Sequence, residues 1–439
     1  MYRFRLARGH CSRMGRTSDR RKRRDANFTN ERDQRMKKKI LIIGTYDTKE
    51  DELRYLEHII MDQGGATVTM DVSILNDPIE FTDFSKHDVA AAADSNITKT
   101  IALDDENKAM QTMAIGASQL AIKAYTERQI DGVVILGGSM GTDLALDVCL
   151  ALPLGFPKYI ISTIAFSPLL PTERIPADVQ MILWAGGLYG LNSICKASLS
   201  QAAGAILGAA KAVEKPDIKK PMVGMTSFGK TALQYMVKLK PALEMRGYEV
   251  AVFHPTGMGG QAFEDLAAKG RFMCVMDLAT QEVGNHLFGS VVSAGPNRLT
   301  AAAKAGVPQI VAPGCYDLVD FPGWQDLDVR WKDHEVHAHN RLLSSIVLSD
   351  DERQDVAKAH TKQLSYATGK SAFIMPLRGC HEWDRKGAPL HNPSGVQAFA
   401  GALKASMPKT TKLYEINCHI NDAAFTNKVL EVFDEWFVN

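Results

Sequence analysis

The chain has 439 residues, 45% of them hydrophobic and 23% charged, with 34 glycines and 18 prolines. That composition excludes collagen-like, mucin-like and wholly disordered chains and suits two globular domains. The net charge of +1 hides a segregation, because residues 1–39 hold 15 Lys and Arg against 4 Asp and Glu, leaving 36 basic and 46 acidic side chains for the rest.

An acidic body excludes a nucleic-acid surface spread over it, so any such contact falls to the basic arm. The arm contains Arg20-Arg21-Lys22-Arg23-Arg24 but no apolar run of about 7–15 residues, as a secretory signal requires. It reads as an RNA-binding or nuclear-targeting segment, or as a disordered extension over 1–37 ahead of a start near Met36. Seven cysteines, odd in number and without a CxxC pair, argue against a disulfide framework or a cysteine zinc site and fit a reducing cytoplasm. The longest uncharged stretch, 179–195, contains Gln180, Asn192 and Ser193 and is a poor membrane span.

From residue 38 the pattern alternates. Strands are expected over 39–44, 67–72, 131–136, 159–165 and 179–184, with helices over 49–62, 105–129, 143–152 and 193–213. A polar, proline-bracketed linker over 214–221 separates a first domain, 38–214, from a second, 215–439. The rhythm then resumes, with strands over 222–226, 250–254, 272–278, 309–312, 372–376 and 413–416. Helices are expected over 232–246, 261–269, 350–367, 394–405 and 422–437. Alternation of this kind predicts an α/β fold with parallel sheets covered on both faces.

Ligands in such sheets sit outside the carboxyl ends of the strands, which directs attention to the turns there. Gly44-Thr45-Tyr46-Asp47-Thr48-Lys49 offers hydroxyls, amides and a helix start for a phosphate, with Lys49 to neutralise it and Asp47 to reach magnesium. Its bland alternative is a capped helix in which Thr48 pairs with Asp51. Gly137-Gly138-Ser139-Met140-Gly141-Thr142 supplies backbone that can approach an anion closely, although it lacks the GxGxxG dinucleotide pattern. His254-Pro255-Thr256-Gly257-Met258-Gly259-Gly260 has similar chemistry in the second half. Ser293-Ala294-Gly295-Pro296-Asn297-Arg298 adds an arginine able to hold a carboxylate or phosphate.

Gly224-Met225-Thr226-Ser227-Phe228-Gly229-Lys230-Thr231 fits the P-loop pattern by letter. Only Met222 and Val223 precede it after Pro221, so Met225, Thr226 and Phe228 read as a strand continuing rather than a phosphate-wrapping loop, with a P-loop as the alternative. His337 and His339, if extended, project to one side and could share a divalent metal, with a metal-free polar loop as the alternative. Cys315, in Pro313-Gly314-Cys315, is a nucleophile or a structural thiol. Arg378-Gly379-Cys380-His381-Glu382-Trp383-Asp384 gathers charge after another strand.

Taken in order, Gly44–Glu50, Gly138–Thr142, His254–Gly260, Ser293–Arg298 and Pro313–Cys315 resemble the bacterial and plant family built on the N-terminal domain of the tomato mosaic virus resistance protein, over about residues 38–438. That resemblance implies two Rossmann-like subdomains with a cleft between them, binding of ATP with magnesium, a homodimer, and a separate TIM-barrel metabolic partner. The expected nucleotide site is Gly44, Thr45, Asp47, Thr48, Lys49, Gly138, Ser139, Gly141 and Thr142. Gly259, Gly260, Asn297 and Arg298 would meet a second ligand. As an enzyme, the chain would use Arg298, His337, His339 and Cys315 on a small anionic metabolite, such as a keto acid or phosphorylated compound, with a divalent metal. As a P-loop ATPase it would depend on Lys230.

Overall fold

The computed structural model describes residues 37–214, 219–229 and 232–438. The basic arm, residues 215–218 of the expected linker, and Lys230 and Thr231 of the P-loop-like motif lie outside the described residues. Contacts divide the chain into two units. The first is interrupted after Phe166 and resumes over Val179–Glu214, while Ser167–Asp178 belongs with the C-terminal half.

In the first unit, β1 (Lys39–Gly44), β2 (Ala66–Asp71), β3 (Gly132–Gly137), β4 (Lys158–Ser162) and β5 (Gln180–Leu183) form a parallel sheet in the order 2-1-3-4-5. The helices are α1 (Tyr46–Asp62), α2 (Lys86–Ala92), α3 (Ile97–Ile101), α4 (Glu106–Thr126), α5 (Ser139–Ala151) and α6 (Ser193–Ala212). β1 is apolar throughout because both its faces are covered. Ile40 and Ile42 join Leu53 and Leu56 of α1 and Leu199 and Ile206 of α6 in one core. Leu41 and Ile43, pointing the other way, are equally buried. The short α2 and α3, absent from the sequence expectation, carry little apolar periodicity. They are held by caps instead, Ser85 with Asp88 and Asn96 to the Lys99 amide.

In the second unit, β6 (Met222–Thr226), β7 (Glu249–Phe253), β8 (Cys274–Ala279) and β9 (Gln309–Gly314) belong to a six-stranded parallel sheet. Between β9 and the rest of that sheet comes an antiparallel trio, β10 (Leu318–Pro322), β11 (Val336–Ala338) and β12 (Leu343–Val347). β13 (Ser371–Pro376) and β14 (Lys412–Ile416) complete the six, in the order 14-13-9-8-6-7. Helices α7 (Gln234–Met245), α8 (Met258–Ala268), α9 (Gln281–Leu287), α10 (Ala301–Ala305), α11 (Asp350–Leu364), α12 (Pro393–Ser406) and α13 (Ala423–Phe437) cover it. β13 shows the division of faces: Ala372 and Ile374 pack with α7 and α13, Phe373 and Met375 with α11 and α12. The antiparallel trio was not foreseen, since its strands are short and Asp320 and Pro322 interrupt the apolar pattern.

Candidate functional site

The first sheet reverses its winding between β1 and β3, and there its carboxyl ends diverge. The turns leaving these two strands line one cleft of about 250 Å³, formed by Thr45, Asp47, Thr48, Lys49, Gly137, Gly138, Ser139, Met140 and Gly141, with Ile74, Leu75, Glu106 and Met110. The sequence placed the two turns separately, and the sheet order makes them neighbours.

Both turns are helix starts, one turn earlier than the periodicity suggested. α1 begins at Tyr46 with Thr45 as N-cap, and α5 begins at Ser139 with Gly138 as N-cap; neither has a side-chain cap. The Thr48–Asp51 cap is therefore not formed. Instead Thr48 Oγ1 lies 3.1 Å from Thr45 Oγ1 and accepts a hydrogen bond from Lys49 Nζ at 3.1 Å. Lys49 itself leaves helical geometry (φ −136°, ψ 28°), which kinks the first turn. Gly137 cannot carry a side chain, because a Cβ would sit 2.5 Å from Gly141 Cα.

Asp47 Oδ2 accepts from the Leu75 and Asn76 amides, at 3.1 and 3.2 Å, while its buried Oδ1 has no hydrogen-bond partner. Asp71, at the end of β2, likewise keeps an unpartnered Oδ2, and burial raises its carboxyl above the usual range. Two expected residues do not line the cleft. Gly44 ends β1, and buried Thr142 donates to Gly138 O at 2.7 Å and meets Ser162 Oγ at 2.7 Å, bracing the turn from behind.

The second sheet reverses between β6 and β8, and its crevice is filled from within. Arg298 is buried, with Nε donating to Glu282 at 2.7 Å, Nη1 to Glu264 at 3.0 Å and Nη2 to Asp277 at 2.8 Å. Glu282 also accepts from the Gly257 amide at 2.5 Å, and its carboxylate occupies the space where a Gly260 side chain would lie. The glycine turn does hold an anion, but that anion belongs to the chain. Gly259 packs against the His254 carbonyl, and Asn297 O caps Thr300. Burial pushes the Glu282 carboxyl up to about 7 against the opposing pull of Arg298. In the P-loop-like motif, Gly224, Met225 and Thr226 are part of β6, with no loop at the first glycine.

A third cluster gathers at the carboxyl ends of β9 and β13. Cys315 sits in left-handed backbone (φ +58°) and turns the chain out of the sheet, so that Asp317 faces His381 from the turn after β13. Burial and the Asp317, Asp320 and Asp384 carboxylates raise the Cys315 thiol far above its ordinary range, which disfavours a thiolate. Burial alone would raise Asp317, but the charges of His381 and Arg353 outweigh it and hold its carboxyl well below the usual range. His337 and His339 do face one side, as extended alternation requires. Both rings pack on Trp383, at 4.2 and 5.5 Å between centroids, and His381 lies 5.8 Å from the same ring. Burial, then repulsion from His339 and His381, lowers the His337 pKa.

The sequence words around Cys315 and Cys380 contain Asp317, His381 and Asp384 without singling them out, and nothing in the sequence marks Arg353 or His419. Those two come from segments far apart in the chain and carry no local signal.

A doubly wound α/β protein of two units, open at one switch point and self-filled at the other, is the class this fold defines. Residues 38–215 and 220–437 match the N-terminal and C-terminal domains of the Uncharacterised protein family UPF0261, and the chain belongs to that family. A UPF0261 protein of Brucella suis biovar 1 is 50% identical over 398 residues, spanning 91% of this chain and 95% of its own. One from Clostridium tetani is 34% identical over 393 residues, with 89% and 96% covered. The ToMV susceptible protein tm-1(GCR26) of Solanum lycopersicum is 30% identical over 426 residues, covering 90% of this chain but 55% of the tomato protein. Among the described residues no helix is long and apolar enough to cross a membrane.

Proposed function

We propose that the chain is a nucleotide-binding protein that takes the phosphates of ATP in the β1/β3 cleft. The observation that carries this reading is the meeting of two helix N-termini without side-chain caps, a glycine-rich turn and Lys49 around one cavity at a switch point. The first-turn amides of α5 and the positive ends of two helix dipoles favour an anion there, the Tyr46 and Asp47 amides of α1 being engaged by Asp71 and Ser73, and Lys49 supplies a full charge. The unpartnered Asp47 Oδ1 and Asp71 Oδ2 suit a magnesium ion beside the phosphates.

A homodimer and a separate TIM-barrel partner belong to this proposal through the family resemblance. Free, buried thiols suit a reducing compartment such as the cytoplasm. An enzymatic reading, with a small anionic metabolite handled in the second unit, draws support from the Asp317–His381 cluster rather than from Arg298, whose guanidinium is fully engaged.

Calorimetric titration with ATP and magnesium tests the proposal. Lys49→Ala should weaken binding by about 1.5–3 kcal/mol, the usual loss for a hydrogen bond to a charged group. Wild-type affinity in that variant, or no binding in the parent protein, would overturn it.

A further inference from the structure

We propose that Asp317, His381 and Asp384 form a binding site for one divalent transition ion of the manganese, iron(II) or zinc type. Each residue offers a donor atom, and the three atoms lie within 4.8 Å of one another. They converge because the turn after β9 and the turn after β13 leave adjacent parallel strands. Two carboxylates and one imidazole make a mixed oxygen and nitrogen set, the kind these ions accept.

A second observation points into the same cluster. Asp317 is buried; its Oδ2 accepts from His381 Nε2 at 3.2 Å, while its Oδ1, 3.1 Å from the same nitrogen, has no hydrogen-bond partner among the described residues. Arg353 Nη2 is 3.3 Å from the other oxygen, again without hydrogen-bond geometry. Buried polar atoms left in this condition call for an ion or water, because an unmade bond of this kind costs about 1–3 kcal/mol.

The surroundings also fit. Asp384 is oriented by amides of Cys380 and His381, at 2.6 and 3.3 Å, and by His419 Nε2 at 3.0 Å. His419 Nδ1 accepts from the Asn421 amide at 3.1 Å, so its Nε2 carries the hydrogen that Asp384 receives. Outer partners of this type fix ligand geometry in metal centres. The rings of His381, His337 and His339 all pack against Trp383.

The full-length protein, stripped with chelator and free of nucleotide, is to be dialysed against manganese, anaerobic iron(II) or zinc, and its bound metal counted. One equivalent per chain and a raised melting temperature are expected with at least one ion. Asp384→Asn and His381→Gln should each weaken binding at least tenfold, whereas Asp47→Asn and the His337→Ala/His339→Ala pair should retain the stoichiometry. Should the ligand variants fail to fold, X-ray absorption on the metal-loaded wild type decides, with one imidazole and oxygen donors expected and no sulfur. Less than a tenth of an equivalent with every ion, binding lost with Asp47 or with the histidine pair, or a sulfur ligand from Cys315 or Cys380 would overturn the assignment.

Discussion

His360 lies buried in the second unit, its Nδ1 donating to Val356 O at 2.8 Å and its Nε2 2.8 Å from Thr280 Oγ1. Burial lowers its pKa from 6.5 to about 4. The neutral ring is therefore favoured in the fold, while the unfolded chain takes up a proton first as pH falls. Its stability contribution is complete above about pH 6.5 and is lost on descending to about pH 4; at about 1.4 kcal/mol per unit it amounts to about 3 kcal/mol. Glu282, raised to about 7, acts in the opposite sense, stabilising at low pH and losing that contribution between about 4.5 and 7. Urea unfolding of wild type and His360→Gln across this range separates them: the difference between the two curves should shrink as pH falls below about 6.5. A difference independent of pH would show that His360 is not the titrating group. Arg298 supplies a companion prediction. Arg298→Met strands three buried carboxylates and should cost about 3–5 kcal/mol in the same assay.

At the scale of elements, the junction of β3 and α5 is closely packed where it borders the β1/β3 cleft. Gly137→Ala forces a methyl group against Gly141 and should destabilise the protein by about 1–3 kcal/mol, measured by urea unfolding, with ATP affinity falling alongside. A neutral result would mean that the two backbones can separate. This junction also shows what the sequence could reveal. The apolar run before Gly137 and the glycines after it marked a strand, a turn and a helix, and the same logic found Thr45 to Lys49. Their adjacency was not legible, because it follows from strand order and not from spacing. The reverse holds for Arg298: its glycine-rich word looked like a ligand arm, and only the long-range partners Glu264, Asp277 and Glu282 show the guanidinium already spent. His337 and His339 both pack on Trp383, a placement that local alternation makes readable. The strand that carries them was too short to announce its sheet.

Across the molecule, the two units repeat one architecture with different strand counts, and each has its own core. The match to the family domains begins at residue 38, after the charge-segregated arm. Removing residues 1–35 should therefore leave the melting temperature and ATP affinity unchanged at moderate salt, as calorimetry can check. A truncated protein that melts lower would give the arm a structural role.

Glu282 seated against the Gly257 amide and Arg298 has a kinetic and thermodynamic meaning of its own. It is a tethered occupant, present at an effective concentration of at least the millimolar order that covalent linkage confers. A dissolved phosphate or carboxylate competing for the β6/β8 crevice must displace a carboxylate that never diffuses away and must also strand the arginine behind it. That competition raises the concentration a dissolved anion needs to enter. The second sheet is thereby closed to anions at the position where the first is open, and nucleotide should titrate at one equivalent per chain.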